Sequence, residues 1–216
     1  MWRGRPIDMA ITVWYSACFG LSIISSRGLS CGRFIRRKEM LDLSISIVNT
    51  NNRQFLDECL ASIYANTVGI SFEVFVVDNA SNDGSDKMVL QKYPQVTLIR
   101  NTFPKGFATN HNRVLSQSNG RYILILNEDT IISPGALQTM LKFMNEHAKA
   151  GAIGPRKLNP DGSTQPDRGR PYNLVLMVAD LLRLYKLLGR NEFSGGKIRL
   201  QKEPVQVEMV SGCCLL

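Results

Sequence analysis

Between residues 43 and 147, short apolar runs rich in β-branched residues alternate with stretches of helical periodicity, and few folds accept that pattern. Residues 43–48 (LSISIV), 72–77 (FEVFVV), 96–100 (VTLIR) and 122–126 (YILIL) read as strands. Between them, Phe55, Leu56, Cys59, Leu60 and Ile63 recur at 3–4 spacing and predict a helix over 53–64. Further helices are expected over 85–93, 107–118 and 134–147, the last with Pro134 in its first turn. A further strand is expected to begin at 152–153, and another to cover 205–210. Strand and helix in turn define an α/β class, a mainly parallel sheet flanked by helices. Three of the strands run into polar clusters: Asn49-Thr50-Asn51-Asn52, Asp78 to Gly84, and Asn127-Glu128-Asp129-Thr130. Ligands of such sheets sit at the carboxyl ends of the strands, so the three clusters are expected to converge on one crevice.

The 216 residues are 44% hydrophobic and 20% charged, which excludes disordered, collagen-like and coiled-coil readings. Five cysteines without CxxC spacing do not describe a zinc site. They suit small buried thiols in a reducing compartment. The net charge of +8 suggests nucleic acid until it is located: residues 1–40 hold seven basic groups against Asp8 and Glu39, so five of the eight charges lie there. The body is mildly basic and has no nucleic-acid motif, and no nucleic-acid partner is expected. No GxGxxG follows the first strand, and GxxxxGK[ST] and GxSxG are absent, which argues against dinucleotide, P-loop and serine-hydrolase chemistry. A nucleotidyltransferase would carry a Gly-rich basic loop after its first strand, and residues 49–53 are not one. His111 and His147 are the only histidines; His111 reads as a satisfied polar histidine, and His147, closing an amphipathic helix, as a residue with a dipole or solvent role.

Residues 9–26 are uncharged and largely apolar, with basic groups on both sides. A signal peptide, a short membrane anchor and an upstream extension without a fold are the three readings, and the third is preferred because Met40 stands just before the first strand of the domain. The expected organisation is therefore an extension over 1–39, unstructured or weakly membrane-proximal, and a domain over 40–216. Residues 174–188 read as a leucine-rich amphipathic helix that packs on the domain or rests on a membrane surface, followed by a Gly/basic linker over 189–204.

Carboxylate placement carries the chemistry. Asp129 follows the strand YILIL closely, with Glu128 beside it, and a carboxylate at that rim suits a hard divalent ion that also bridges phosphate oxygens. Asp78 leaves the neighbouring strand in the same direction and offers a charged acceptor for a base or ribose. Together with these positions, VVDNASNDGS (76–85), GFATNHN (106–112), YILILNEDT (122–130) and the GPR…NPDG segment (154–162) make the chain resemble glycosyltransferase family 2, nearest its rhamnosyltransferase-like bacterial branch. The resemblance covers residues 43–165 with several motifs in register. It implies a GT-A (Rossmann-like) nucleotide-diphospho-sugar transferase fold and a nucleoside-diphosphate sugar donor. By the same resemblance Asn49, Thr50 and Asn51 edge the nucleotide pocket, Asp78 and Asn79 bind the nucleoside, and Lys105, Gly106 and Asn112 lie on a loop that approaches nucleotide or sugar. Asn127 and Glu128 occupy the place of the family's D-x-D, and Asp129 is the metal ligand, for Mg2+ or Mn2+. Thr50 replaces a frequent aromatic, which weakens stacking on the base.

The resemblance further implies an inverting transfer to a saccharide or lipid-linked acceptor in bacterial cell-surface polysaccharide synthesis. The expected place is the cytoplasm, with peripheral contact at the inner face of the membrane. It departs at the end of the chain. The V-S-G-A-x-L segment stands as Val210-Ser211-Gly212-Cys213-Cys214-Leu215, and the family's later carboxylate motif, which supplies the general base, does not follow before Leu216. The chain is accordingly expected to be a glycosyltransferase with its C-terminal part and catalytic base missing, or else an inactive fragment that retains nucleotide-sugar binding. Glu192 and Glu208 fall at no matching position.

Overall fold

The computed structural model describes residues 5–14 (as backbone), 40–165, 204–207 and 210–216. Its centre is a five-stranded sheet in the order β4 (Thr97–Arg100), β3 (Phe72–Asp78), β2 (Leu41–Asn49), β5 (Gly120–Asn127) and β9 (Cys214–Leu215). The first four are mutually parallel and β9 is antiparallel to β5. Helices α1 (Arg53–Asn66), α2 (Ser85–Lys92) and α3 (Phe107–Leu115) make the crossovers.

Alternation along the strands sorts their side chains to two faces. Leu43, Ile45 and Ile47 join Val74, Val76, Leu124 and Leu126 in the main core. There they meet Leu56, Cys59, Leu60 and Ile63 of α1, Met88 and Val89 of α2, and Leu137, Met140 and Met144 of α4 (Ala136–Glu146). The opposite face is covered more thinly, with Val114 of α3 on Phe75, Val77 and Ile99. Gly120 opens β5 where it crosses β2: a Cβ there would stand 2.4 Å from the Ser44 amide nitrogen, so a side chain would force the two strands apart.

The predicted strands and helices are all present within the described residues, with bounds shifted by a few positions. Helix α4 begins at Ala136 rather than over Pro134, because Gly135 adopts φ 76° and ends the preceding turn. The strand expected over 205–210 is shorter, β8 (Val205–Gln206). The strand expected to begin at 152–153 runs as far as Lys157 in β7 (Ala152–Lys157), and a bridge from Leu158 to Thr164 then closes a tight hairpin. Strand β6 (Thr130–Ile132) was not anticipated.

Nor was β1 (Arg5–Trp14), which falls inside the extension read as foldless. It lies between β6, to which it is parallel, and β7, to which it is antiparallel, and it also pairs with β8. Strands β6 and β7 present backbone donors and acceptors that need partners, and a β-branched segment of the chain supplies them. Leu216 joins the two sheets by exchanging backbone hydrogen bonds with Ile153 at 2.7 and 3.0 Å. The helix expected over 174–188 and the linker after it lie outside the described residues.

Candidate functional site

Strand order 4-3-2-5 turns back on itself between β2 and β5. Crossovers through α1 and α2 lie on one face and the crossover through α3 on the other, so the carboxyl ends of β2 and β5 diverge into a crevice. Three polar clusters meet this edge at one level, because Asn49 pairs in register with Asp78 and Val48 with Asn127.

Asn49 and Asp78 are both buried, and each keeps one side-chain oxygen, Oδ1, without a hydrogen-bond partner. Their other atoms are held: Asn49 Nδ2 donates to Ser81 Oγ at 3.2 Å, and Asp78 Oδ2 accepts from the Ser81 amide at 3.3 Å. A buried acceptor left unpaired costs about 1–3 kcal/mol, which a donor arriving in the crevice recovers. Ser81 also accepts from the Asn51 amide, and Asn51 Oδ1 accepts from the Asn82 amide. Among the described residues, the two non-glycine positions with left-handed backbone are Asn51 (φ 55°) and Ala80 (φ 61°), one in each of these loops. Alanine gains nothing from that conformation, and such strain concentrates where a loop must hold a fixed shape for a ligand.

On the β5 side, Asn52 Nδ2 donates to Glu128 Oε1 at 2.7 Å and ties the β2 loop to the β5 loop. Asn127 is held through its backbone, donating to the Cys213 carbonyl at 2.9 Å and accepting from Cys59 Sγ. Glu128 and Asp129 are half-buried. No group of three or more His, Cys, Asp or Glu among the described residues forms a closed metal site. One or two carboxylates at an open rim are the donor set that Mg2+ accepts when phosphate oxygens and water complete its shell, so Asp129 and Glu128 fit such an ion.

Thr50 Oγ1 accepts from Asn79 Nδ2 at 3.4 Å, and Asn79 in turn holds the backbone of Lys105. Of the expected site residues, Asn49, Thr50, Asn51, Asp78, Asn79 and Lys105 are thus joined in one network. Gly106 is exposed and precedes α3, while Asn112 is exposed on the second turn of that helix and takes no part in the network. Asn52, Ser81, Asn101 and Asn110 belong to the site although sequence reasoning did not single them out. Asn52 lay in the first polar cluster, Ser81 in the VVDNASNDGS run and Asn110 in GFATNHN, but the signal for Asn101 exists only in three dimensions.

His111 is buried, with Nδ1 2.8 Å from Ser46 Oγ and the ring edge-on to Phe107. Burial holds its pKa below the usual imidazole range, so it is a neutral packing histidine, as the default reading has it. Cys214 is buried in β9 and Cys213 is half-buried; Cys59 is a buried thiol whose pKa burial drives up.

A mainly parallel sheet with its polar loops gathered at this switch point describes a Rossmann-like α/β domain. The chain belongs to glycosyl transferase family 2, whose sequence profile matches residues 44–216, and its fold is GT-A. It is 28% identical over 160 residues to an N-acetylglucosaminyl-diphospho-decaprenol L-rhamnosyltransferase of Mycobacterium tuberculosis, covering 66% of this chain and 50% of that one. It is 30% identical over 110 residues to the minor teichoic acid biosynthesis protein GgaB of Bacillus subtilis, covering 49% and 12%. The chain therefore spans about half the length of the mycobacterial relative. Among solved structures, S. aureus TarS 1–349 in complex with UDP-GlcNAc is similar at 24% identity and a TM-score of 0.44, covering 50% of this chain and 32% of that one.

Proposed function

We propose that residues 40–216 bind a pyrimidine nucleoside-diphosphate sugar in the β2/β5 crevice and serve an inverting, metal-dependent glycosyl transfer in the synthesis of a bacterial cell-surface polysaccharide. The observation that carries this reading is the pair of unpartnered buried oxygens, Asn49 Oδ1 and Asp78 Oδ1, on neighbouring strands at the crevice floor. A pyrimidine ring N–H and a ribose hydroxyl are donors of the right kind for a carboxylate and an amide oxygen side by side. Family membership supports a sugar donor, and the relatives named for rhamnosyl transfer and teichoic acid synthesis support a cell-wall acceptor.

In the transfer, an acceptor hydroxyl attacks the anomeric carbon from the face opposite the diphosphate. The new C–O bond forms as the bond to the diphosphate breaks, the leaving group departs with the electron pair, and the hydroxyl proton passes to a base. No described carboxylate is assigned as that base. Asp129, with Glu128 beside it, would hold the divalent ion, which neutralises charge on the leaving diphosphate. Glu128 is steered toward this rim by Asn52, and Asp78 reads the nucleoside while Ser81 holds its second oxygen. Among the described residues no helix is long and apolar enough to cross a membrane. Peripheral contact with the cytoplasmic face of the membrane is part of the proposal, supported by the basic groups of residues 1–40.

Calorimetry with UDP, dTDP and GDP in the presence of MgCl2 tests the site. The parent chain is expected to prefer the pyrimidine diphosphates. Asp78→Asn should weaken them by about 10- to 100-fold, the worth of a charge-assisted hydrogen bond, and Asp129→Ala should abolish the dependence on magnesium. Both variants binding like the parent would refute the site. Binding without sugar transfer to any acceptor would leave a nucleotide-sugar-binding protein.

A further inference from the structure

Residues 102–106, between β4 and α3, and the first turn of α3 as far as Thr109 are all exposed except the half-buried Lys105. The two aromatic side chains of this stretch are not core residues: Phe103 and Phe107 are 62% and 52% exposed. Such a segment should be loose, yet its middle is gripped by three asparagines that are themselves buried, Asn79, Asn101 and Asn110.

The Asn79 carboxamide takes both backbone groups of one residue, Oδ1 accepting from the Lys105 amide at 2.8 Å and Nδ2 donating to the Lys105 carbonyl at 3.2 Å. Asn110 Nδ2 donates to the same carbonyl at 3.2 Å and to Asn79 Oδ1 at 3.2 Å. Asn101 Nδ2 links the other two, donating to Asn79 Oδ1 at 3.0 Å and Asn110 Oδ1 at 2.7 Å, and Asn101 Oδ1 accepts from Arg113 Nη1 at 3.0 Å. The cluster is tied to the strand ends through the backbone: the Asn79 amide donates to the Asn49 carbonyl and the Asn101 amide to the Asp78 carbonyl, both at 2.9 Å. Every one of the three carboxamides is engaged on both its oxygen and its nitrogen. The Asn79 carboxamide is thereby committed to the Lys105 backbone.

The residue so held carries a charge without an answer. Among the described residues the Lys105 ammonium has no carboxylate partner, and it lies 5.3 Å from the centroid of the Phe103 ring. A lysine whose backbone is held beside the ends of β2 and β3 suits an anion that binds at those strand ends.

We infer that Asn79, Asn101 and Asn110 form a positioning clamp that presents the Lys105 ammonium to the diphosphate of the donor; this rests on the donor site proposed above. The clamp replaces a hydrophobic anchor with hydrogen bonds to one peptide, so the loop is ordered before the ligand arrives and binding does not bear that cost. Asn79, Asn101 and Asn110 act through Lys105 rather than on the ligand.

The test uses the full 216-residue chain, with UDP and MgCl2 as the probe. Amide hydrogen exchange at Lys105 should accelerate at least about tenfold in Asn110→Ala, because its partner Asn79 is released. UDP affinity should fall about five- to tenfold in Asn110→Ala, yet by less than about twofold when the same change is made in a Lys105→Ala background, the signature of residues that act as one unit. The salt dependence of UDP binding should weaken in Asn110→Ala as it does in Lys105→Ala. Unchanged exchange at Lys105 overturns the clamp. An equal loss of affinity in both backgrounds overturns delivery through Lys105, since a merely structural defect would not depend on the lysine. A parent chain that binds no pyrimidine diphosphate overturns the donor site and the delivery step together, while the exchange measurement still decides the clamp. If Asn110→Ala does not unfold cooperatively, Asn101→Asp, which keeps the side-chain shape and removes the bridging donor, carries the same comparisons.

Discussion

His111 illustrates how burial sets the behaviour of a single group. Its ring is enclosed between Ser46 and Phe107 and its pKa lies below the ordinary 6.5. Between those two values the unfolded chain binds a proton that the folded chain refuses, so stability is complete above pH 6.5 and declines as pH falls through the window. The slope from this one group is at most about 1.4 kcal/mol per pH unit. Urea unfolding of the parent between pH 7.5 and 5 should show this decline, and His111→Gln should remove its share; identical pH profiles would show that the imidazole does not contribute. A lone histidine in a polar stretch, Asn110-His111-Asn112, looked satisfied from sequence, and its hydroxyl partner is Ser46 on β2, five elements earlier in the chain. The reach of 65 residues between them is why no motif announced it.

Short capping networks tie the helices to the strand ends. Asp83 stands before α2 and serves two helices at once, with Oδ2 accepting from the Arg53 amide at the start of α1 at 2.8 Å and Oδ1 from the Ser85 amide at 3.0 Å. Partial burial raises its pKa, but the Ser85 hydroxyl and the Arg53 and Ser85 amides outweigh that and leave it below 3.8. Its contribution is present above pH 3.8 and is lost as pH falls through the lower, folded value. Asp83→Ala should cost about 1–2 kcal/mol, the upper range for a helix cap, because two helix starts lose their acceptor. Chemical denaturation at pH 7 measures this, and a loss no larger than that of an exposed aspartate would contradict the double role. Helix existence was readable from periodicity in α1 and α4, while the caps were not, since Asp83 acts on α1 from across the sheet edge.

The two sheets meet along β7, β9 and Leu216, and β1 completes the smaller one between β6 and β7. A chain beginning at Met40 retains β2–β5, α1–α4 and the whole crevice, so it should unfold cooperatively and bind UDP within about twofold of the parent, a difference below about 0.5 kcal/mol. It also uncovers the β6 and β7 edges, which present unpaired donors and acceptors to other chains, so light scattering should show greater self-association. Loss of the cooperative transition on removal of residues 1–39 would show that β1 is integral to the fold.

The α/β class and the three polar strand ends were legible because each strand of the central sheet is long and apolar enough to show a period, and because a parallel sheet gathers its ligand loops at one edge. Strands of two or three residues, β6, β8 and β9, carry no period, and the partner of β1 is chosen by which backbone edge lies open. The oxygens left unpaired at Asn49 and Asp78, and the meeting of Asn79, Asn101 and Asn110 around Lys105, follow from register between strands. Register depends on contacts between residues tens of positions apart, and those contacts exist once the chain has packed.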